Sequence, residues 1–173
     1  PSVCNALDTV LVHRSVASRF VPAIVADLNA SGVKVYLDEP CMACLEANAL
    51  TAAGELIAPA LPEHYGCEFL SLQLSIKVVD SLEEAIEHIA RYGTAHSDGI
   101  LTDSVVSAER FLNEVDSAAT YVNCSTRFTD GGQFGLGAEV AISTQRMHAR
   151  GPMGLRELTT YKWIARGNYH IRP

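Results

Sequence analysis

Residues 74–93, LSIKVVDSLEEAIEHIARYG, decide the fold class. The β-branched run at their start predicts a strand over residues 74–79, and the residues that follow predict an amphipathic helix. Ser81 and Glu84 have the spacing of a capping box, and Gly93 is expected to end the helix in the left-handed conformation. The apolar stripe of this helix comprises Leu82, Ala85, Ile86, Ile89 and Ala90.

The flanking segments continue the alternation of strand and helix. Further strands are predicted at residues 9–13, 33–37, 99–102 and 118–123. Short connections that alternate in this way require right-handed crossovers. The sequence therefore predicts the α/β class, with a parallel sheet and flanking helices.

Three further helices are predicted between these strands. The first runs over residues 15–30 and stops at Gly32, with either a kink at Pro22 or a later start near Val21. A second, less clear one begins near residue 40 and ends before Gly54. The third is capped by Asp103. The faces expected to be buried are Val16, Phe20, Ile24 and Leu28 in the first helix and Val105, Ala108, Leu112 and Val115 in the third.

Composition narrows the class of protein. The 173 residues are 48% hydrophobic and 19% charged, which is typical of one well-packed globule. The net charge of −7 argues against a nucleic-acid partner. No apolar run approaches the roughly 20 residues that cross a membrane, and no export signal is visible. The odd number of cysteines, five, favours free thiols in a reducing compartment, so we expect a cytoplasmic protein whose cysteines are mostly buried.

Two motifs suggest a functional site, but neither has the complete pattern that such a site requires. The pair Cys41 and Cys44 has CxxC spacing, but no further ligand motif completes a zinc site, so no metal is expected and two core thiols are favoured. The run GGQFGLG at residues 131–137 lacks the spacing of a dinucleotide-binding loop. Any main cofactor-binding domain is therefore expected to lie outside this chain.

The long glycine-rich segment 124–156 is expected to be functional, because loops of this length inside compact domains usually are. Its region carries a basic set of side chains within an acidic protein. These could form surface ion pairs or bind a carboxylate or phosphate, and composition leaves both readings open. The set comprises Arg127, Arg146, His148 and Arg150. Cys4 alone gives only a weak case for a nucleophile.

Three stretches together give a resemblance. They are PSVCNALDTVLVH (1–13), VNCSTRFTDGGQFGLGAEVAIST (122–144) and HARGPMGLRELTTYKWIARG (148–167). The sequence closely resembles the C-terminal part of the gamma-glutamyl phosphate reductase (glutamate-5-semialdehyde dehydrogenase) family, in the aldehyde dehydrogenase superfamily. The resemblance implies an aldehyde dehydrogenase-like catalytic domain over residues 1–156 and a C-terminal oligomerisation strand within 157–173.

The implied reaction is NADPH-dependent reduction of L-glutamate 5-phosphate to L-glutamate 5-semialdehyde and phosphate, in proline biosynthesis. A homo-oligomer and glutamate 5-kinase are the partners that the resemblance suggests, and no membrane partner is expected. Cys4 stands at the position of the nucleophile that forms an acyl-thioester, and its backbone N–H is a candidate oxyanion donor. Glu68 stands where the family holds the nicotinamide ribose.

The substrate-binding residues are assigned by the same resemblance. Arg127 suits the α-carboxylate of the substrate, and Phe134 is expected near the wall of the site. His148 and Arg150 are candidates for binding phosphate or for fixing the loop, with loop fixing preferred, and Cys124 is expected to be a buried, inert thiol. The residues implied to bind substrate are Ser125, Thr126, Arg127, Phe134, His148 and Arg150.

One departure from the family is large, since its cofactor-binding half precedes the nucleophile and no such half precedes Cys4 here. We therefore expect the 173 residues to be a fragment that has no reductase activity alone. Two alternatives remain open at this stage. One is the C-terminal segment of a bifunctional pyrroline-5-carboxylate synthase. The other is a non-catalytic assembly module that uses residues 161–172, whose alternating pattern predicts an exposed strand with an unpaired edge.

Overall fold

A four-stranded parallel sheet forms the core of the protein. The structure, a computed structural model, describes residues 1–45 and 54–173. The strands are β1 (Thr9–His13), β2 (Lys34–Leu37), β3 (Ile57–Pro59) and β4 (Gln73–Val79), in the spatial order β1-β4-β2-β3. Because β4 pairs in parallel with both β1 and β2, the predicted α/β class is confirmed.

Helix α1 (Arg14–Ala30) joins β1 to β2 and buries a stripe one residue away from the predicted one. Val16 and Phe20 are each 40% exposed, so their predicted burial is wrong, whereas Ile24 and Leu28 do pack against the core. Two adjacent apolar stripes share the same helical spacing, and periodicity does not choose between them. The smaller side chains face the sheet. They are Ala17, Val21 and Val25.

The two ends of α1 are determined by residues close to them in the sequence. The helix begins at Arg14 and continues through Pro22, so the alternative start near Val21 is wrong. It ends as predicted at Gly32, whose φ is 73°. The Gly32 N–H donates to the Asn29 carbonyl and the Val33 N–H donates to the Leu28 carbonyl, both at 2.9 Å. This pair of bonds is a Schellman motif, which requires the left-handed conformation at the glycine.

The end of β2 is held to the end of β4 by one carboxylate. Asp38 caps α2 (Glu39–Ala43), because its Oδ1 accepts the Cys41 N–H at 2.9 Å, while its Oδ2 accepts the Val78 N–H at 3.0 Å. The helix predicted from residue 40 begins here but ends at Ala43, with Cys44 as its C-cap, so its predicted continuation through residues 44 and 45 is wrong. Residues 46–53 of that prediction lie outside the described residues. A short 3₁₀ turn (Gly54–Leu56) precedes β3, and α3 (Pro62–Tyr65) follows it.

Helix α4 (Leu82–Tyr92) follows β4 as predicted, and Ser81 caps it by accepting the Glu84 N–H at 3.2 Å. The Glu84 carboxylate accepts the Asp80 N–H at 2.8 Å instead of closing the box on Ser81. The prediction for Gly93 is wrong in its reason, since its φ is −68°. Glycine is needed there because a Cβ would lie 2.6 Å from the Ile89 carbonyl oxygen.

A second, two-stranded parallel sheet consists of β5 (Ser97–Ile100) and β6 (Ala119–Val122), joined by α5 (Val105–Glu114). The cap of α5 is Ser104, one residue after the predicted Asp103. Two of the side chains predicted to be buried are exposed, since Val105 is 74% and Leu112 38% exposed. Phe111 occupies the core position, because the larger aromatic buries more apolar surface against the sheet.

The glycine-rich segment carries little regular structure, as predicted. It contains a 3₁₀ turn (Thr126–Phe128) and an antiparallel pair formed by β7 (Ala141–Ser143) and β8 (Gly151–Met153). The strand predicted at residues 161–172 does not form in this chain. An extended segment needs a hydrogen-bonding neighbour to become a strand, and no described strand pairs with it here. None of the helices in residues 1–45 and 54–173 is long and apolar enough to cross a membrane.

An aromatic cluster joins α3 to α4. His88 is only 9% exposed, and its ring lies against Tyr65, with ring centroids 5.0 Å apart, and against Tyr92, with centroids 4.7 Å apart. Within the described part of the chain its Nε2 is buried without a hydrogen-bond partner. Burial lowers the pKa of His88, and the charge of Lys77 lowers it further.

We predict that His88 makes the fold sensitive to acid. The folded pKa lies below the ordinary value of 6.5, so the unfolded chain binds the proton first and stability is lost as the pH falls through 6.5. His88→Phe should therefore lose less unfolding free energy between about pH 7.5 and 5.5 than the natural protein, as measured by denaturant titration. The exposed His170→Phe is the control, and equal slopes for all three proteins would contradict the assignment.

Candidate active site

The loop before β1 and the loop after β6 meet at Asn5, the residue next to Cys4. The Asn5 side chain is 3% exposed, and its Nδ2 donates to the Thr129 carbonyl at 2.9 Å. The Thr126 hydroxyl donates to the backbone carbonyl of Asn5 at 2.6 Å. The Arg127 guanidinium donates to the Asn5 Oδ1. These bonds join two segments that are more than 120 residues apart in the chain.

Cys4 lies on the exposed side of this junction. Its thiol is free and its side chain is exposed, whereas the neighbouring Asn5 is buried and hydrogen-bonded. The turn that carries Cys4 is closed by the Ala6 N–H, which donates to the Val3 carbonyl at 3.0 Å. Solvent can therefore reach the Cys4 thiol, while the hydrogen bonds of the neighbouring Asn5 hold the backbone in place. A nucleophilic cysteine needs such access together with a fixed approach.

An open pocket of about 370 Å³ lies on the loop after β6. Two of the predicted substrate residues, Ser125 and Arg127, line it, whereas the hydroxyl of the third, Thr126, points to Asn5 and its side chain is buried. Asp130 shapes the pocket wall by accepting the N–H groups of Gly132 and Gln133. The full lining is Ser125, Arg127, Phe128, Asp130 and Gln133.

Glu68 lies in the loop between α3 and β4, beside the segment that carries Cys4. Its own side chain is exposed, while the next residue, Phe69, is held on two sides. The Phe69 N–H donates to the Asp8 Oδ1 at 3.2 Å, and the Phe69 ring stacks on Tyr36 with centroids 5.5 Å apart. Burial raises the pKa of Asp8, and the negative charge of Glu68 adds to that rise. The Phe69–Asp8 bond therefore places the loop that bears Glu68 next to Asp8, four residues after Cys4.

Within the described residues, the other predicted site residues form no hydrogen bond with Asn5. Phe134 is 53% exposed and is not among the residues that line the described pocket. Arg150 is bound to Asp116, with its Nη1 2.7 Å from the Oδ1 and its Nη2 2.8 Å from the carbonyl oxygen. These contacts give Arg150 the arrangement expected for loop fixing. His148 is exposed on the same loop.

The cysteines differ from the prediction in burial. Cys41 is fully buried, and burial raises the pKa of its thiol, whereas Cys44 is half-buried with its Sγ donating to the Pro40 carbonyl at 3.2 Å. Cys67 and Cys124 are exposed, so the prediction that Cys124 is a buried thiol is wrong. Cys124 lies two residues after Val122, the last paired residue of β6, and belongs to the loop that follows. No group of three metal-ligating side chains occurs in the described segments.

Sequence reasoning missed the polar residues that assemble the site. The N-terminal stretch 1–13 contains Asn5 and Asp8, for which the sequence pattern predicts no role. A buried polar side chain beside a candidate nucleophile nevertheless needs a hydrogen-bond partner. Asn123 was also missed. Its side chain accepts the Thr102 N–H and donates to the Thr102 carbonyl, both at 2.8 Å, and so ties the end of β5 to the end of β6. The polarity of these residues was the signal available in the sequence. Their hydrogen-bond partners could not be predicted, because folding alone brings them together.

Comparison with known proteins identifies close relatives. No protein-family model matches the chain. A gamma-glutamyl phosphate reductase from Dehalococcoides mccartyi is 55% identical over 172 residues, which are 99% of this chain and 40% of that protein. The resemblance predicted from the sequence is confirmed, because the chain is a relative of gamma-glutamyl phosphate reductases over nearly all of its own length. It spans about 40% of the length of the curated relatives it matches.

Solved structures agree with this relationship. The crystal structure of the gamma-glutamyl phosphate reductase from Thermotoga maritima superposes with a TM-score of 0.88 at 49% identity, over 100% of this chain and 40% of that one. An acetylating aldehyde dehydrogenase from Geobacillus thermoglucosidasius matches with a TM-score of 0.58 at 18% identity, over 99% of this chain and 45% of that one. The second match concerns the fold alone, and it confirms the aldehyde dehydrogenase-like α/β fold.

We predict an order of thiol modification from the observed burial. In the folded protein, iodoacetamide should modify the exposed Cys4, Cys67 and Cys124 well before Cys41, because burial both shields the Cys41 thiol and raises its pKa. Peptide mass mapping over time measures the four rates. Denaturation with guanidinium is the control, since it should make the four rates similar. Early labelling of Cys41 in the folded state would contradict the structure.

Proposed function

We propose that this chain forms the catalytic part of a gamma-glutamyl phosphate reductase. The reaction is the NADPH-dependent reduction of L-glutamate 5-phosphate to L-glutamate 5-semialdehyde and phosphate, a step of proline biosynthesis. The observation that carries the proposal is the junction at Asn5, which puts the backbone of an exposed thiol, Cys4, next to the loop that bears Arg127. A nucleophile on a loop that adjoins the loop of an anion-binding guanidinium suits a substrate that carries both an acyl phosphate and a carboxylate.

Cys4 acts first as the nucleophile. Its thiolate attacks the γ-carbonyl carbon, and the C–O bond to the phosphate breaks with its electron pair leaving on the phosphate. The product is a glutamyl thioester on the Cys4 sulfur. Thiolate suits both halves of the reaction, because it attacks readily and later leaves readily. The backbone N–H of Cys4 is proposed to stabilise the oxyanion that forms during the attack.

The second half of the reaction needs a reductant. NADPH, when bound, would supply the hydride that adds to the thioester carbon. The Cys4 sulfur would then leave with the electron pair of the C–S bond as the carbonyl re-forms, which releases the aldehyde and regenerates the thiolate. Among the residues described here, Glu68 fits the cofactor, because an exposed carboxylate can accept hydrogen bonds from ribose hydroxyls.

The glycine-rich run 131–137 does not compete for that role. Gly131 is packed against Glu139, since a Cβ at Gly131 would lie 2.6 Å from the Glu139 Cβ. The amide of Gly132 is already used by Asp130. These contacts explain Gly131 and Gly132 as packing and turn residues. The remaining cofactor contacts are proposed to come from a part of the enzyme outside this chain.

Arg127 is proposed to bind the α-carboxylate of the substrate. Its side chain lines the pocket, and a guanidinium forms paired hydrogen bonds to a carboxylate. Ser125 lines the same pocket and offers a hydroxyl. His148 and Arg150 are proposed to hold the loop, in keeping with the contacts of Arg150 to Asp116. Phe134 is proposed to contribute to the wall of the closed site.

Residues 157–173 are proposed to pair with another copy of the chain as an oligomerisation strand. Their large apolar side chains are exposed, with Tyr161 81%, Trp163 91% and Ile164 67% exposed. Apolar surface of this extent favours coverage by a partner. A homo-oligomer is therefore proposed. Glutamate 5-kinase is proposed as a further partner, because an acyl phosphate is reactive and benefits from direct transfer.

The central substitution is Cys4→Ser in the full-length protein that contains this chain. Loss of the nucleophile should lower kcat by at least about 10³-fold, measured as NADPH oxidation with L-glutamate 5-phosphate. Cys67→Ser is the matched control, since Cys67 is also an exposed, free thiol, and its activity should stay within about twofold of the natural protein. Full activity of Cys4→Ser would overturn the mechanism, and an inactive natural protein would overturn the function.

A further inference from the structure

We propose that Asn5 is a positioning residue that sets the preference of the site for a substrate with an α-carboxylate. Its carboxamide holds the guanidinium of Arg127 at the pocket, and its neutrality leaves the charge of that guanidinium available for the substrate. The inference deepens the proposed function and rests on it. It assigns a role to a residue that does not itself touch the reacting atoms.

The orientation of the Asn5 amide is fixed by its two different partners. The Nδ2 donates to the Thr129 carbonyl at 2.9 Å, and the Oδ1 accepts from Arg127. If the amide were rotated by half a turn, its Oδ1 would face the Thr129 carbonyl oxygen and its Nδ2 would face the Arg127 guanidinium. Because Asn5 is only 3% exposed, water cannot compensate either mismatch. The oxygen therefore stays directed at Arg127.

The Thr129 carbonyl is in turn fixed to the second sheet. Thr129 is 3% exposed, and its hydroxyl is hydrogen-bonded to the hydroxyl of Tyr121, which is 6% exposed. Tyr121 belongs to β6, and its hydroxyl also lies 3.5 Å from the Ser97 Oγ on β5. A chain of buried polar groups thus runs from the two strands through Thr129 and Asn5 to Arg127. Such a chain holds a side chain only if every member has its partner.

The identity of Asn5 has a chemical consequence. A carboxylate at this position would also accept from Arg127, but it would form an ion pair and neutralise the guanidinium. A neutral carboxamide holds the same group without cancelling its charge. Arg127 is exposed and lines the pocket together with Asp130. The Asp130 Oδ1 accepts the N–H groups of Gly132 and Gln133. Within the described residues Arg127 forms no ion pair, so its charge faces the space that a substrate would occupy. The geometry therefore points to recognition of an anionic group by Arg127, with Asn5 setting its direction.

The test compares three acyl phosphates in the full-length protein that contains this chain. L-Glutamate 5-phosphate carries an α-carboxylate and an α-amino group, and butanoyl phosphate lacks both. Glutaryl phosphate, which keeps the carboxylate alone, should respond to the variants as L-glutamate 5-phosphate does. Asn5→Ala and Asn5→Asp should each lower kcat/KM for L-glutamate 5-phosphate by about 10- to 100-fold, the range for a lost bond to a charged group. For butanoyl phosphate the same variants should lose less than about threefold, and the KM for NADPH should not change.

Two more variants keep the test decisive if the Asn5 variants fold poorly. Tyr121→Phe removes only the hydroxyl at the far end of the chain of polar groups and should lower the preference for L-glutamate 5-phosphate severalfold. Ser117→Ala is the control, because it removes a half-buried hydroxyl that bonds to Asp98 at 2.6 Å, away from the pocket, and it should leave the preference unchanged.

The outcomes separate this inference from the proposed function. A natural protein without activity on L-glutamate 5-phosphate would overturn the function itself. An active natural protein whose Asn5 and Tyr121 variants keep its preference would overturn the positioning role alone. Equal losses on L-glutamate 5-phosphate and butanoyl phosphate would also overturn it, since they would indicate a general structural effect rather than control of Arg127.

Discussion

The pairing of β4 with β1 and β2 is the constraint on which the rest of the structure depends. Thr9 lies opposite Ser75 in this sheet, and the Ser75 N–H donates to the Asp8 carbonyl at 2.9 Å. The register therefore places the segment after Cys4 at the end of the sheet where β4 begins, beside the loop that bears Glu68. A slip by one residue would turn the buried side chains of β1 to the opposite face. The same packing that forms the core thus brings the segments of Cys4 and Glu68, which are far apart in the sequence, to the same end of the sheet.

Asn5 connects this end of the first sheet to the loop that follows the second sheet. The first sheet fixes the loop before β1, and β6 fixes the loop that carries Thr129, so the two sheets determine the position of Asn5 from both sides. Arg127 depends on the Asn5 carboxamide because Arg127 is exposed, and an exposed side chain is directed mainly by its backbone and immediate neighbours. The turn that carries Cys4 is held through the backbone instead, because the Thr126 hydroxyl donates to the Asn5 carbonyl.

Most strands could be predicted from the sequence because β-branched runs in a parallel sheet are buried on both faces and stand out. The face of α1 could not, because Val16 and Ala17 begin two stripes of equal spacing and only the sheet decides between them. The role of Cys4 came from resemblance rather than composition. The role of Asn5 could not be predicted at all, since its partners lie more than 120 residues away and the hydrogen bonds exist only after folding.

The most direct test of the account is to identify the residue that becomes acylated. The full-length protein that contains this chain is incubated with L-glutamate 5-phosphate without NADPH, quenched in acid to preserve a thioester, digested and mapped by mass spectrometry. We expect a glutamyl group on the peptide that contains Cys4, and we expect it to be released when NADPH is added before the quench. A glutamyl group on the peptide of Cys67 or Cys124, or on no cysteine, would contradict it.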